Sequence, residues 1–173
     1  MLTRIRQAVV TTTFLIAIAM ALSVSAWAQD RADFSLRAID GPTVSSESLR
    51  GQVVVLAFGA SWLPLTSKQM DAMKKLADQY AGRGVATYWV STDSENLKSK
   101  NFVADDELRG LARKYNVKVL RDPDGAISKR LGVDQLPSAV IIDKQGNVSG
   151  TAGGLDPNAD LAKQLATRLD KLL

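Results

Sequence analysis

Apolar and polar residues follow two different periods along the chain, and the change of period predicts where strands and helices lie. Residues 33–40 alternate loosely between apolar and polar and end at Gly41-Pro42, which predicts a strand and a turn. Residues 53–58 form a continuous apolar run that is β-branched at its start, as expected of a central buried strand. Residues 85–90 form a second β-rich run, so three strands are predicted before residue 91.

Three other segments carry apolar side chains at helical spacing. The face predicted for a helix over residues 67–80 consists of Met70, Met73, Ala77 and Tyr80. The face predicted for residues 105–115 consists of Leu108, Leu111, Ala112 and Tyr115. The last predicted helix presents Leu161, Leu165, Leu169 and Leu172. This last helix is expected to begin with Asp156 as its N-cap and Pro157 as its first helical residue.

A turn sequence near the carboxyl end completes the predicted fold class. Asp143-Lys144-Gln145-Gly146 separates apolar residues 139–142 from the segment that begins at Asn147, which predicts a β-hairpin. Because strands and helices alternate along the chain, we predict a layered α/β domain that is closed by an antiparallel hairpin. The sequence shows no internal repeat and no low-complexity linker.

The amino-terminal residues have the composition of an export signal. Two arginines give a positive start, residues 14–21 form an apolar core, and Ala26-Trp27-Ala28 places small residues at both key positions of a cleavage site. We therefore predict that residues 1–28 are a signal peptide and that the protein is periplasmic or secreted. An uncleaved membrane anchor is the alternative, since the uncharged run over residues 7–29 has the length to span a bilayer.

Cleavage after Ala28 would leave 173 − 28 = 145 residues, which is enough for one domain with its own core over residues 29–173. The net charge of +4 would fall to 20 − 18 = +2, because two arginines leave with the signal. These mild and scattered charges give no reason to expect a nucleic-acid partner. No later segment is apolar and long enough to span a bilayer, so no stable membrane insertion is expected after cleavage.

Cysteine and histidine are both absent from the sequence. Their absence removes the soft and imidazole metal ligands, the thiol nucleophile and the usual proton shuttle at neutral pH. The clustered acids have structural explanations, since Asp105, Asp106 and Glu107 suit a helix start and Asp122-Pro123-Asp124-Gly125 suits a turn. We therefore expect no metal site and no cofactor.

Three short stretches, taken together in their order and spacing, indicate a family. They are LRGQ at residues 49–52, FGASWLPLTSKQM at residues 58–70, and GVDQLPS at residues 132–138 followed by AVIIDKQGNV. They resemble the thioredoxin fold, most closely the exported TlpA/ResA-like branch of the redoxin (AhpC/TSA) superfamily, over about residues 33–173. The resemblance implies a thioredoxin-like three-layer fold whose central mixed sheet is flanked by helices. It also implies a cis peptide bond at Leu136-Pro137, facing the turn that contains Trp62.

Active members of that branch carry Trp-Cys-x-x-Cys where this chain has Trp62-Leu63-Pro64-Leu65-Thr66. Leu63 takes the place of the attacking cysteine and Thr66 that of the resolving cysteine, and neither side chain can form a mixed disulfide. A buried acid near the dithiol often relays protons in the family, but residues 53–66 contain no Asp or Glu. The resemblance therefore implies that the proton relay and the reactive pair are both missing, and that no catalytic residue remains.

Binding does not need the lost cysteines. In thioredoxin-like proteins a substrate segment lies against the loop before the cis-proline and pairs with its backbone. The corresponding surface of this chain is predicted to consist of Trp62, Leu63, Pro64, Leu65, Leu136 and Pro137, with the hydroxyl of Thr66 on one side. Structural roles stay open for the same positions: Trp62 covers the helix start, Leu63 fills the space of the thiol, Pro137 keeps the loop geometry, and Thr66 is the N-cap or a first-turn residue of the helix.

Three classes of function follow. The first, which we favour, is a redox-inactive module of the cell envelope that binds a peptide or a protein partner. The second is an enzyme whose chemistry lies elsewhere, for which Asp93, Glu95 and Asp143 are the available acids, although no nucleophile and base combine among them. The third is a structural subunit, or one that keeps a thiol-disulfide role only through a cysteine-bearing partner. The chain by itself is therefore not expected to be an enzyme.

Overall fold

The computed structural model describes residues 31–154, residue 156 and residues 158–173. The predicted signal peptide, residues 1–28, and the predicted first helical residue Pro157 lie outside the described residues. Within the described part of the chain, no helix combines the length and the apolar character needed to cross a membrane.

Seven strands in the described residues form one mixed sheet with the order β2-β1-β5-β4-β3-β6-β7. They are β1 (Ser35–Ala38), β2 (Val44–Ser45), β3 (Val53–Gly59), β4 (Val85–Ser91), β5 (Val119–Arg121), β6 (Ser138–Ile142) and β7 (Val148–Gly153). The central strands β3, β4 and β5 run parallel, whereas β1, β2, β6 and β7 join by antiparallel pairing. The hairpin predicted around Asp143 is confirmed as the β6–β7 pair.

Four helices in the described residues flank this sheet. They are α1 (Thr66–Gln79), α2 (Asp105–Tyr115), α3 (Ala126–Arg130) and α4 (Leu161–Leu169). The bounds of α2 are those predicted from its apolar spacing, and its acidic first turn lies at the positive end of the helix.

Side chains of β3 divide the core into two layers, because successive residues of a strand point to opposite faces of the sheet. Val53, Val55 and Ala57 pack in one cluster with apolar residues of α1, α2 and α4. Val54, Leu56 and Phe58 pack in the other cluster with the segment around β1 and with Leu131, next to α3. The sheet therefore lies between two covering layers, which confirms the predicted three-layer α/β fold.

Some local predictions are wrong. Ala77 was expected on the buried face of α1 but is exposed, and Leu76 is buried in its place. The N-cap of α4 is Asp160, whose carboxylate accepts from the backbone N–H of Lys163, rather than Asp156. Asp156 instead accepts from the N–H of Asn158 within the preceding turn. Asp156 and Asp160 lie four positions apart, and the sequence pattern assigned the N-cap to the wrong aspartate.

Candidate functional site

The turn between β3 and α1 is built by backbone hydrogen bonds that fold it over the end of the sheet. The N–H of Leu63 donates to the carbonyl of Ala60 at 3.1 Å, and the N–H of Thr66 donates to the carbonyl of Leu63 at 3.1 Å. Strand β3 is buried along its whole length and α1 begins at Thr66. The turn thus lifts Trp62 and Leu63 out of a rigid strand without a long loop.

Asp93 holds this turn from a neighbouring strand. Its side chain is fully buried two residues beyond the end of β4. One of its oxygens accepts from the backbone N–H of Ser61 at 2.9 Å, and the carboxylate also accepts from the hydroxyls of Ser61 and Ser91 at 3.1 and 2.8 Å. The expectation that the family's relay acid is missing considered residues 53–66 alone, whereas a distant part of the sequence brings the carboxyl group of Asp93 beside the turn. These bonds give Asp93 a positioning role.

Thr66 is not part of the exposed surface. Its side chain is buried, and its hydroxyl donates to the carbonyl of Ala60 at 2.6 Å. It is the first residue of α1, whose N-cap position is occupied by Leu65 without a capping side-chain bond. The hydroxyl expected on one side of the binding surface is committed to the backbone of the turn. Of the structural roles considered for Thr66, the first-turn position is the one observed.

Trp62, Leu63 and Leu136 line one open groove of about 630 Å³. The side chain of Trp62 is 59% exposed and that of Leu136 is 37% exposed, so both present large apolar surfaces to solvent. The remaining wall comes from the α3 region, from the loop that precedes β6 and from Ala60, Thr92 and Asn101, and it carries polar as well as apolar side chains. The structure therefore brings together three of the six residues predicted for binding, which are distant in the sequence.

The other three predicted residues do not line this groove. Pro64 is exposed and Leu65 is half-buried, and both lie outside its lining. Pro137 is buried, so it supports the loop and offers little surface to a partner. The predicted cis peptide bond at Leu136-Pro137 is confirmed.

The loop before Pro137 leaves backbone groups unpaired. Within the described residues, no hydrogen bond engages the N–H or C=O groups of Asp134, Gln135 or Leu136. The neighbouring Val133 still donates to the carbonyl of Ser128 at 2.9 Å, and strand β6 begins at Ser138. Three consecutive residues beside the groove therefore have free donors and acceptors, which is the requirement for pairing with an added extended segment.

A buried polar cluster that the sequence did not reveal supports the site from below. Gln69 of α1 is fully buried, and its amide nitrogen donates to the carbonyls of Phe58 and Ser138 at 3.1 and 3.0 Å. Its amide oxygen accepts from the indole N–H of Trp89 at 2.8 Å. Trp89 is fully buried in the core, and the three bonds of Gln69 join α1 to β3, β4 and β6. The only signal of this cluster in the sequence was the position of Gln69, a polar residue on the predicted buried side of the helix.

The three acids considered for an alternative chemistry do not converge. Asp93 holds the turn, and Asp143 accepts from the N–H groups of Gln145 and Asn147 within the hairpin. Glu95 accepts from the guanidinium groups of Arg37 and Arg121. Among the described residues, no group of acidic side chains is arranged to hold a metal ion.

Arg121 is a second buried polar residue that the sequence did not reveal. Its side chain is 1% exposed, and it lies between Glu95 and Asp105 while donating to the carbonyl of Val103 at 3.1 Å. Arg37 also pairs with both acids, and its hydrogen bond to Asp105 holds the pKa of that carboxyl below its usual value. The four charges balance one another and connect β1, β5 and α2. This cluster stabilises the fold and contains no unpaired group suited to catalysis.

The model of the AhpC/TSA family matches residues 28–151. The thiol-disulfide oxidoreductase ResA of Bacillus thuringiensis subsp. konkukian is 30% identical over 116 residues, which represent 67% of this chain and 63% of ResA. The matched region thus spans less than two thirds of that relative.

Two crystal structures share the fold at lower sequence identity. The exposed lipoprotein thioredoxin Etrx1 of Streptococcus pneumoniae has a TM-score of 0.65 and 24% identity, over 81% of this chain and 99% of Etrx1. A secreted disulfide oxidoreductase of Mycobacterium tuberculosis has a TM-score of 0.64 and 22% identity, over 84% of this chain and 100% of its own. These similarities establish the thioredoxin-like architecture.

Proposed function

We propose that this chain, which belongs to the AhpC/TSA family, is a redox-inactive thioredoxin-like protein that binds an extended segment of a peptide or protein partner. Its relative ResA is named as a thiol-disulfide oxidoreductase. That chemistry needs a thiolate, and the sequence contains no cysteine. Leu63 and Thr66 stand where the reactive pair would be, so electron transfer is replaced by binding in this proposal.

One observation carries the proposal: an open groove with two exposed apolar side chains lies beside a stretch of unpaired backbone. Trp62 and Leu136 are exposed and line the same groove, while the backbone of Asp134, Gln135 and Leu136 is free to pair. A segment added along this loop would satisfy those backbone groups and place alternate side chains over the groove. Aromatic residues are enriched at the centres of such contacts, which suits an exposed tryptophan.

We also propose that binding takes place in the cell envelope. The amino-terminal composition supports export, with cleavage after Ala28. One structural neighbour is described as secreted and another as an exposed lipoprotein, which agrees in kind with this location. The partner is then a protein or peptide of the same compartment. A structural subunit that joins a cysteine-bearing relative would use the same surface and is one form of this proposal.

The test is selection of peptides from a randomised display library on the purified protein, followed by affinity measurement with variants. Leu136→Asp places a charge in an apolar contact without a partner and should weaken the selected peptides by at least about tenfold. Leu173→Asp is the matched control, because Leu173 is 38% exposed and does not line the groove. Equal loss in both variants, or none in either, would contradict the proposed site. Thermal melting of both variants establishes that the fold is retained.

A further inference from the structure

A second cleft lies where the carboxyl end of α2 meets the β1 and β5 strands. Its volume is about 490 Å³, within the range of small-molecule sites, and none of its lining residues lines the Trp62 groove. It is therefore a separate feature of the fold, and nothing in the proposed peptide binding accounts for it.

The floor of this cleft is apolar and reaches the core. Ile39 and Leu120 lie at its bottom but are 5% and 0% exposed, because their side chains are packed into the two buried clusters. Val44 and Val117 are half-buried beside them, and Pro42 lies in the turn at the mouth. A hydrocarbon group placed against Pro42, Val44 and Val117 would lose contact with water on a preformed apolar surface, which favours binding.

The rim of the cleft is cationic. Arg113 and Lys118 both line it and are exposed, and within the described residues neither forms an ion pair. The ammonium group of Lys118 lies 5.8 Å from the ring centroid of Tyr88. Among the described lining residues the only carboxylate is Asp40, which already accepts from Arg109 at 2.9 Å. Positive charge at this rim is therefore not neutralised by the protein.

Tyr88 adds a neutral donor to the same cleft. Its side chain is 7% exposed, and burial raises the pKa of its phenol, so the hydroxyl stays protonated at neutral pH. In the described part of the chain, every buried side-chain oxygen has a hydrogen-bond partner, but the hydroxyl of Tyr88 has none. The hydroxyl is consequently in contact with solvent and is available to a ligand.

We propose that this cleft binds an organic carboxylate with an apolar body, of the kind represented by a medium-chain fatty acid. The carboxylate lies at the rim, where Lys118 and Arg113 supply charge and Tyr88 supplies a hydrogen bond. The hydrocarbon lies against the solvent-accessible apolar side chains of Pro42, Val44 and Val117. Arg113 also belongs to the last turn of α2, where a cation is favoured by the helix dipole, so Lys118, which lies outside the helix, is the discriminating residue.

The first experiment maps the site by nuclear magnetic resonance on the isotope-labelled protein. Decanoate is the probe, with decan-1-ol as the matched apolar body without charge and acetate as the matched charge without the body. Decanoate should shift the amide signals of Ile39, Tyr88 and Lys118 in a saturable manner. The two controls should bind with an affinity at least about tenfold lower. Absence of saturable shifts, equal binding of decan-1-ol, or shifts centred on Trp62 would overturn the proposal.

The second experiment changes the charge. Lys118→Glu should weaken decanoate binding by at least about tenfold, and Lys118→Gln should weaken it to a smaller extent. Lys98→Glu is the control, since Lys98 is exposed and does not line the cleft. Unchanged affinity in Lys118→Glu would overturn the proposal. Leu136→Asp should leave decanoate binding unchanged. A failure of peptide binding at the Trp62 groove is therefore distinguishable from a failure of decanoate binding at this cleft.

Discussion

The carboxylate of Asp93 accepts from the backbone N–H of Ser61 at 2.9 Å, across 32 residues of sequence. This bond fixes the residue immediately before Trp62, so the exposed tryptophan stands on an anchored turn. The same carboxylate accepts hydrogen bonds from the hydroxyls of Ser61 and Ser91, so both of its buried oxygens have a donor. The candidate binding surface is therefore held in place from β4, although its exposed residues belong to other segments.

Asp93→Ala is expected to destabilise the protein by about 2–3 kcal/mol, because it leaves buried donors without an acceptor. Asp134→Ala is the control, since Asp134 is exposed and makes no hydrogen bond within the described residues; it should change stability by less than about 0.5 kcal/mol. Urea unfolding of both variants measures the difference. Equal midpoints would contradict the anchoring role of Asp93.

Gly59→Ala and Gly110→Ala should change stability in opposite directions. A Cβ at Gly59 would lie 2.6 Å from the side-chain oxygen of Gln69 and 3.1 Å from the indole nitrogen of Trp89, which forces the buried cluster apart. We expect a loss of about 1–3 kcal/mol. A Cβ at Gly110, within α2, meets nothing within 4 Å and should stabilise the helix by about 0.5–1 kcal/mol. Thermal unfolding of the two variants provides the comparison, and the same sign for both would refute this account.

The protein should catalyse no insulin reduction and no peroxide turnover above buffer, because the sequence offers no thiol to store electrons.

Cysteines introduced singly at Leu63 and at Thr66 should differ in accessibility. Leu63→Cys should react with a thiol reagent much faster than Thr66→Cys, since Leu63 lines the groove and Thr66 is 4% exposed. Similar rates for the two thiols would show that the turn is open in solution.

Acid should weaken the Arg37–Asp105 pair. The folded pKa of Asp105 is lowered by the hydrogen bond from Arg37, so its contribution to stability is present above the unfolded pKa of about 3.9 and is lost as pH falls through the folded pKa. Asp105→Asn should therefore cost stability at pH 7 and cost progressively less from about pH 4 downward. Glu107→Gln in the same helical turn is the control, since Glu107 is exposed and lacks an ion pair in the described structure. Urea unfolding at several pH values tests this, and a pH-independent cost would contradict it.

Expression in a bacterium with an intact export pathway should yield a protein that begins at Gln29. The expectation rests on Ala26-Trp27-Ala28 after a short apolar core. Intact-mass spectrometry of the periplasmic fraction measures it. Recovery of the full-length chain in the membrane fraction would favour the uncleaved anchor.

Local periodicity was enough to predict much of the fold. The i, i+3, i+4 spacing in α2 and the continuous apolar run of β3 are properties of short segments, and both elements lie where predicted. The absence of cysteine, and with it of a thiol nucleophile, also follows from residue identity alone. Short elements such as β5, with three residues, escaped prediction because they carry too few positions to show a period.

Only the tertiary structure decided which residues form the surface and which support it. Trp62 and Leu136 share a groove, whereas Pro137 is buried, and no sequence period distinguishes these cases. Gln69 reaches the carbonyl of Ser138 across 69 residues, and Asp93 reaches Ser61 across 32. Such bonds depend on which strands become neighbours in the sheet, and that order is set by the packing of the whole chain. The sequence by itself therefore determined that the chain has no thiol, and the folded chain determined which side chains of the candidate site are exposed and which are buried.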